Sequence, residues 1–263
     1  MDTSPALELI NLSKSYDAGT SYAVDKFNLR VQRGELVALL GGSGCGKTTT
    51  LKMINRLIEP TSGSIEVDGR PILDMDPIEL RRSIGYVFQG IGLFPHMSVQ
   101  ENVGITPELL GWEPDRITQR TRELMELVHL SPDEFLSRKP SELSGGQQQR
   151  VGFARGLAAE PSVMLLDEAF GALDPITRDS LQREFKEIQS SLNLTTVLVT
   201  HDMTEALLLA DRIVVMNLGK VVQIGTPHEL LSEPEDEYVS QLMDTPKRHA
   251  DYLNHLLEEA GDS

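Results

Sequence analysis

The chain carries one cysteine, Cys45, in 263 residues. A single cysteine closes no intrachain disulfide, and it excludes a metal site built from clustered cysteines. Long apolar runs are missing as well. No stretch reaches 18 consecutive apolar residues, so no membrane-spanning helix is expected. The opening MDTSPALELI is acidic and lacks the basic-then-apolar order of a secretory leader, so a cytosolic chain is expected. Basic residues are scarce: 24 Lys and Arg face 40 Asp and Glu, for a formal charge of −16. Nucleic-acid binders draw much of their affinity from phosphate neutralisation and show a basic stripe. No nucleic-acid partner is therefore expected, and the acidity reads as a solvated surface.

What is present, 40% apolar and 24% charged residues, is the composition of an ordinary globular protein. The length suits one large core with an insertion, or two small domains. Short apolar, β-branched runs alternate with helical patterns. ALELINL, ELVALLG, SIEVDG, IGYVFQ, VMLLDE, TTVLVTH, RIVVMN and KVVQIG read as strands. Several are continuously apolar, as strands buried on both faces are. Leu181, Phe185, Ile188 and Leu192 recur at helical spacing over residues 175–193, and Ile117, Leu124 and Val128 over 114–128. GTPHELL offers a capping box, Thr226 with Glu229, and Pro227 at the first helical position. The expected fold is α/β with a predominantly parallel central sheet. Residues from about 90 to 160 hold helical patterns and no convincing strand, and read as an inserted helical subdomain. The acidic C-terminal stretch from SEPEDEYV onward reads as helical, either a packed helix pair or a tail.

ELVALLGGSGCGKTTTLKMINRL is strand, glycine loop and helix in succession, and Gly41, Gly46, Lys47 and Thr48 fit G-x-x-x-x-G-K-[ST]. Glycines let backbone N–H groups converge on phosphate oxygens where a Cβ would obstruct, and the following helix points its positive end at the same place. Residues Gly41, Gly42, Ser43, Gly44, Cys45, Gly46, Lys47, Thr48 and Thr49 are the candidate phosphate cradle. Lys47 supplies charge to the β- and γ-phosphates, and the Thr48 hydroxyl suits Mg²⁺. Cys45 reads as a small packing residue within the loop. No Asn-Lys-x-Asp motif occurs, which disfavours a GTPase. VMLLDEAF places two carboxylates at the end of an apolar strand, the ligand edge of an open α/β sheet. Asp167 suits Mg²⁺, and Glu168 suits a general base toward an attacking water.

Leu143-Ser144-Gly145-Gly146-Gln147 resembles the signature motif of ABC-type ATPases. Other marks of that family stand around it in order. Tyr16 in SKSYD resembles the aromatic that stacks on adenine, and Gln89 in YVFQG the Q-loop glutamine, which would touch Mg²⁺ and the attacking water. Gly171-Ala172-Leu173-Asp174 resembles the D-loop, and His201 in LVTHD the switch histidine. The resemblance covers roughly residues 6 to 242. It implies a P-loop NTPase core with an antiparallel β subdomain and the inserted helical subdomain, in a domain over 1–242 followed by an acidic helical tail over 243–263. It also implies a head-to-tail pair of copies that binds ATP and Mg²⁺. Each ATP would lie between the phosphate loop of one copy and Ser144, Gly145, Gly146 and Gln147 of the other, with Asp174 at the same interface. This accounts for a signature loop that has glycines and a helix but no lysine.

LFPHMSVQENVGITPELLGW and DEAFGALDPITRDSLQ resemble the ATPase subunits of importers for glycine betaine, choline and related quaternary amines. Phe94, Pro95 and Met97 would then belong to a groove that receives a membrane permease subunit. A separate substrate-binding protein would recognise the solute, and the chain would sit peripherally on the cytoplasmic face of the plasma membrane. The alternatives are an importer for another small solute such as amino acids, or a soluble non-transport ABC ATPase. Two departures stand out. Ala169 follows Glu168 where the family usually has Pro, which predicts slower or altered hydrolysis. Gly90 follows Gln89 where relatives often carry a second Gln. The paired regulatory domains of many osmoprotectant ATPases are not expected at this length.

Overall fold

The computed structural model describes residues 4–88, 90 and 92–261. In chain order the first half holds β1 (Leu7–Lys14), β2 (Val24–Val31), β3 (Leu36–Leu40), α1 (Lys47–Ile54), β4 (Ser62–Val67), β5 (Arg70–Pro71), α2 (Pro77–Ser83) and β6 (Ile84–Val87). Four helices follow without an intervening strand: α3 (Val99–Leu109), α4 (Pro114–Leu127), α5 (Pro132–Phe135) and α6 (Gly145–Leu157). The chain then runs through β7 (Val163–Asp167), α7 (Pro175–Ser191), β8 (Thr195–Thr200), α8 (Met203–Leu209), β9 (Arg212–Asn217), β10 (Lys220–Gly225), α9 (Pro227–Ser232) and α10 (Glu237–Gly261).

Two sheets form. The larger has the order β10-β9-β3-β8-β7-β6, parallel from β9 to β6, with β10 antiparallel at its edge. The smaller, β2-β1-β4-β5, is antiparallel throughout. Strands β3, β7 and β8 are buried at every residue, because both faces of the large sheet are covered. Alternation sorts their side chains. Leu36, Ala38, Leu40, Met164, Leu166 and Leu198 enter the core beneath the helices. Val37, Leu39, Val163, Leu165, Val197 and Val199 enter a second core shared with the small sheet and α1.

All eight expected strands are present, and two more join them. β5 is two residues long. β2 buries Val24, Phe27, Leu29 and Val31, and its alternation is broken where Lys26 takes a positive φ of 48° and the pairing with β1 shifts. A bulge of that kind spoils the period of two from which strands are read. In α7, Leu181, Phe185 and Ile188 are buried as expected, but Leu192 is 44% exposed. The helix ends at Ser191, and Leu192 is its cap, so it leaves the face its spacing assigned to it. In α4, Leu124 is buried together with Thr121 and Met125, Val128 is buried just past the helix, and Ile117 is only half-buried.

Phe153 of α6, Phe170 after β7 and Phe185 of α7 form a triad with ring centroids 5.1–5.9 Å apart. Arg150 of α6 makes a bidentate pair with Glu184 of α7, and its Nη1 also donates to Val128 O at 2.9 Å. The inserted helices are thereby tied to the core through α6. The box at α9 forms as expected: Glu229 N donates to Thr226 Oγ1 at 3.2 Å and Thr226 N to Glu229 Oε2 at 2.7 Å. Helix α10 packs on α8 and α9, buries Val239 and Met243, and runs unbroken across residue 242, where the tail was expected to begin. Among the described residues no helix is long and apolar enough to cross a membrane.

Candidate active site

The loop from Gly41 to Gly46 joins the buried β3 to α1. A Cβ at Gly41 would lie 2.2 Å from Met216 O, and one at Gly46 2.3 Å from Ala23 O, where φ is +109°. Both positions therefore exclude any side chain. No side chain caps α1, so its first N–H groups face outward in the arrangement that favours an anion. Lys47 is buried, and its Nζ donates to Gly41 O at 2.7 Å and Gly42 O at 2.9 Å. Cys45 Sγ lies 3.7 Å from the same ammonium, and the cysteine is packed into the core as expected. Gly42, Ser43 and Gly44 are exposed, and Thr48 and Thr49 half-buried.

Thr48 Oγ1 donates to Asp167 Oδ1 at 3.2 Å, and the Tyr86 hydroxyl to Asp167 Oδ2 at 3.3 Å. Burial pushes the Asp167 carboxyl above its ordinary range, against the two hydrogen bonds that favour the anion. Burial and the adjacent Asp167 push the Tyr86 phenol up as well. A buried carboxylate beside a hydroxyl, with no cationic side chain paired to it among the salt bridges of the described residues, is a donor set suited to a hard divalent cation. Tyr86 is a site residue that the linear motifs did not single out. Its signal is the parallel register of β6 on β7, which sets Tyr86 opposite Leu165.

Glu168 follows with φ +48°, in the left-handed region. Its N–H donates to Val199 O at 3.0 Å, which orients the residue at the strand edge. His201 Nδ1 lies 3.3 Å from Glu168 Oε2. Asp202 caps α8, where Glu205 N donates to Asp202 Oδ1 at 3.2 Å. Asp167, Glu168 and His201 are thus gathered at the ends of two adjacent parallel strands, beside the phosphate loop. Gln89 lies outside the described residues. A residue near the loop that no motif marks is Tyr238 of α10, whose hydroxyl accepts from Gly42 N–H at 3.3 Å.

Ser144, Gly145, Gly146 and Gln147 stand apart from this group. Gln147 N donates to Ser144 Oγ at 3.3 Å and Ser144 N to Gln147 Oε1 at 2.9 Å, a capping box that opens α6. No hydrogen bond or ion pair found among the described residues joins this segment to the phosphate loop. Its neighbours are the next loop and helix: a Cβ on Gly146 would lie 2.6 Å from Thr177 Cγ2. Asp174 caps α7, accepting from Thr177 N at 3.1 Å, and its hydrogen bonds from Thr177 hold its carboxyl below the usual range. Tyr16 lies beyond the end of β1 and is 67% exposed.

A model of the ABC transporter family matches residues 24–171. The chain belongs to that family. Over 237 residues it is 56% identical to the choline transport ATP-binding protein OpuBA of Bacillus subtilis, covering 90% of this chain and 62% of that protein. It is 51% identical over 259 residues to the osmoprotectant import ATP-binding protein OsmV of Salmonella typhimurium, covering 97% and 67%. The chain thus spans about three fifths of the length of the curated relatives it matches first. The dimeric structure of the ATP-binding cassette MJ0796 in a post-hydrolysis state with ADP and Pi superposes with a TM-score of 0.74 at 34% identity, over 84% of this chain and 98% of that one. The two sheets and inserted helices are accordingly those of an ABC cassette.

A groove of about 420 Å³ is lined by Tyr86, Phe88, Phe94, Ile105, Leu109 and Arg155, among others. Phe88 and Phe94 are 43% and 41% exposed. Pro95 is exposed too, whereas Met97 is half-buried, so the expected apolar patch is carried by Phe94 and Pro95. The fully buried Asn102 fastens this loop: its amide donates to the carbonyls of Phe94, Met97 and Ser98, and its Oδ1 accepts from Phe94 N at 2.8 Å.

Proposed function

We propose that the chain is the ATP-hydrolysing motor of an importer for glycine betaine, choline and related quaternary amines. The observation that carries the reading is the Asp167–Glu168–His201 group beside the phosphate loop. In this reading Lys47 leaves the carbonyls of Gly41 and Gly42 for the β- and γ-phosphates, while the N–H groups of residues 44–49 hold the phosphate oxygens. Glu168 takes the proton of the attacking water, and His201 holds Glu168 and the γ-phosphate in register. Thr48 and Asp167, with Gln89, would hold Mg²⁺, which would supply positive charge to offset that of the phosphates. Tyr16 stacks on the adenine.

The signature segment supports a pair of copies. Ser144 and the N-terminal N–H groups of α6 suit the γ-phosphate, yet they belong to a different part of the chain from the phosphate loop. A second copy, placed head to tail, supplies them, with Asp174 at the same junction. MJ0796, a relative in fold and sequence, is dimeric with ADP and Pi. The groove at Phe88 and Phe94 fits a helix of a membrane permease subunit. In this reading the chain sits peripherally at the cytoplasmic face of the membrane, and a separate binding protein recognises the solute. The names of OpuBA and OsmV support the solute class.

The test is uptake of labelled glycine betaine and choline by cells lacking this gene, restored with wild type or Glu168→Gln at equal expression. Uptake restored by wild type alone supports motor and solute class together. Uptake that stays absent for every quaternary amine discards the solute class. Restoration by Glu168→Gln discards the assignment of the base.

A further inference from the structure

Arg178 sits four residues into α7, and its guanidinium folds back over the start of the helix. Nη2 donates to Gly171 O at 3.2 Å and to Leu173 O at 3.0 Å. Nη1 lies 3.7 Å from Asp202 Oδ2. The two carbonyls belong to the loop that leaves Glu168, and Asp202 directly follows His201. One side chain therefore bridges the segment after β7 to the segment after β8. Its contacts flank the two residues whose side chains meet at 3.3 Å. A planar fork suits this task, because one nitrogen serves two carbonyls while the other faces a carboxylate. The carboxylate pair is about one-third exposed and contributes little by itself. The charge-assisted bonds to the backbone are the stronger part.

The surroundings make this clamp specific. A cavity of about 40 Å³ is lined by Glu168, Gly171, Arg178, Thr200, His201, Asp202 and Glu205, so the clamp borders the same small space as the carboxylate and the imidazole. Beneath it Gln182 Nε2 of α7 donates to the buried Glu205 Oε1 of α8 at 2.9 Å. Loop 171–174 is anchored by the buried Leu173 and by the Asp174 cap of α7, and Arg178 adds the bonds that tie its carbonyls to the Asp202 segment. Glu168 O accepts from Gly171 N at 3.2 Å, so a displaced Gly171 drags the Glu168 backbone with it.

We propose that Arg178 is a positioning residue for hydrolysis: it holds loop 171–174 against Asp202 so that Glu168 and His201 keep their spacing. This rests on the reading of the site as an ATPase. The experiment compares ATP turnover, ATP affinity and thermal midpoint for wild type, Glu168→Gln, Arg178→Met and Arg178→Lys in the full chain. The proposal expects kcat to fall about tenfold to a hundredfold in Arg178→Met, the scale of a catalytic group misplaced by about 1 Å. KM for ATP and the midpoint stay near wild type, and Arg178→Lys recovers little because an ammonium lacks the fork. Guanidinium ion at millimolar concentration restores part of the Arg178→Met rate. A kcat within about twofold of wild type in either variant overturns the proposal. So does a rate lost only in step with the midpoint. If Arg178→Met fails to fold, Arg178→Lys at an unchanged midpoint decides. Wild type without turnover, alone or with its membrane partners, or turnover that survives Glu168→Gln, sinks the ATPase reading and this proposal with it. Turnover lost in Glu168→Gln but retained in the Arg178 variants sinks the clamp alone.

Discussion

His201 Nδ1 stands 3.3 Å from Glu168 Oε2, across the ends of two neighbouring parallel strands. The contact links a carboxylate held rigidly at a strand edge to an imidazole at the tip of the next strand. Replacing Glu168 by Gln keeps size and hydrogen bonding but removes the proposed base. Turnover should fall by about 10²–10⁴-fold, the range for a positioned general base, while ATP binding persists. Phosphate release measures the first, and ATP-dependent dimer on gel filtration the second. His201→Ala should lower kcat more than it raises KM.

The raised pKa of Asp167 makes a prediction about stability. Burial favours the neutral acid in the folded state, so the folded chain binds that proton more tightly than the unfolded one. The contribution to stability is complete at low pH and is lost as pH rises through the folded pKa. Asp167→Asn removes the buried charge and keeps the shape. Without nucleotide and metal it should melt higher than wild type near neutral pH. The gain should shrink toward pH 4. With MgATP the order should reverse, since the variant has lost a proposed metal ligand. Thermal melts at two pH values, with and without MgATP, check all three.

Gly46→Ala should fail for backbone reasons. The residue has φ +109°, and the new Cβ would sit 2.3 Å from Ala23 O. Strain and collision together predict a loss of more than about 2 kcal/mol, with ATP binding abolished. Gly44→Ala has open space around it and only the φ penalty to meet, so it should cost less. Urea denaturation of the two variants separates collision from strain.

The Arg150–Glu184 pair joins the signature helix to α7 at side-chain exposures of 18% and 19%. Arg150→Met leaves a carboxylate half-buried, and Glu184→Gln leaves a guanidinium without its charge partner. Each should destabilise by about 1–3 kcal/mol. The double variant should cost less than their sum, with a coupling of about 1 kcal/mol in a double-mutant cycle. A strictly additive result would show that the pair carries no mutual energy.

Much of this molecule is legible along the chain, and the reason is local. β3, β7 and β8 are covered on both faces, so burial writes them as unbroken apolar runs. The phosphate loop, the Asp167–Glu168 pair and the capping box at Thr226 are contiguous, and contiguity is what a linear reading detects. β2 hid behind its bulge at Lys26. Tyr86, Tyr238 and Arg178 were invisible for another reason. Tyr86 meets Asp167 across 81 positions, and Tyr238 meets Gly42 across 196. Arg178 acts through backbone carbonyls, which no residue pattern records. Leu192 carried the right spacing but lies just past a helix end that spacing alone does not set.

Glu168 takes a left-handed backbone with φ +48°, a conformation that suits Gly or Asn better than Glu. Folding alone therefore prefers another residue at the position where the proposed chemistry needs a carboxylate. Glu168→Gly relieves strain of order 1 kcal/mol while removing the proposed base. A variant library selected only for thermal resistance will drift toward dead enzymes here, and each will look like an improvement on a melting curve. Any effort to harden this chain needs position 168 held constant from the first round.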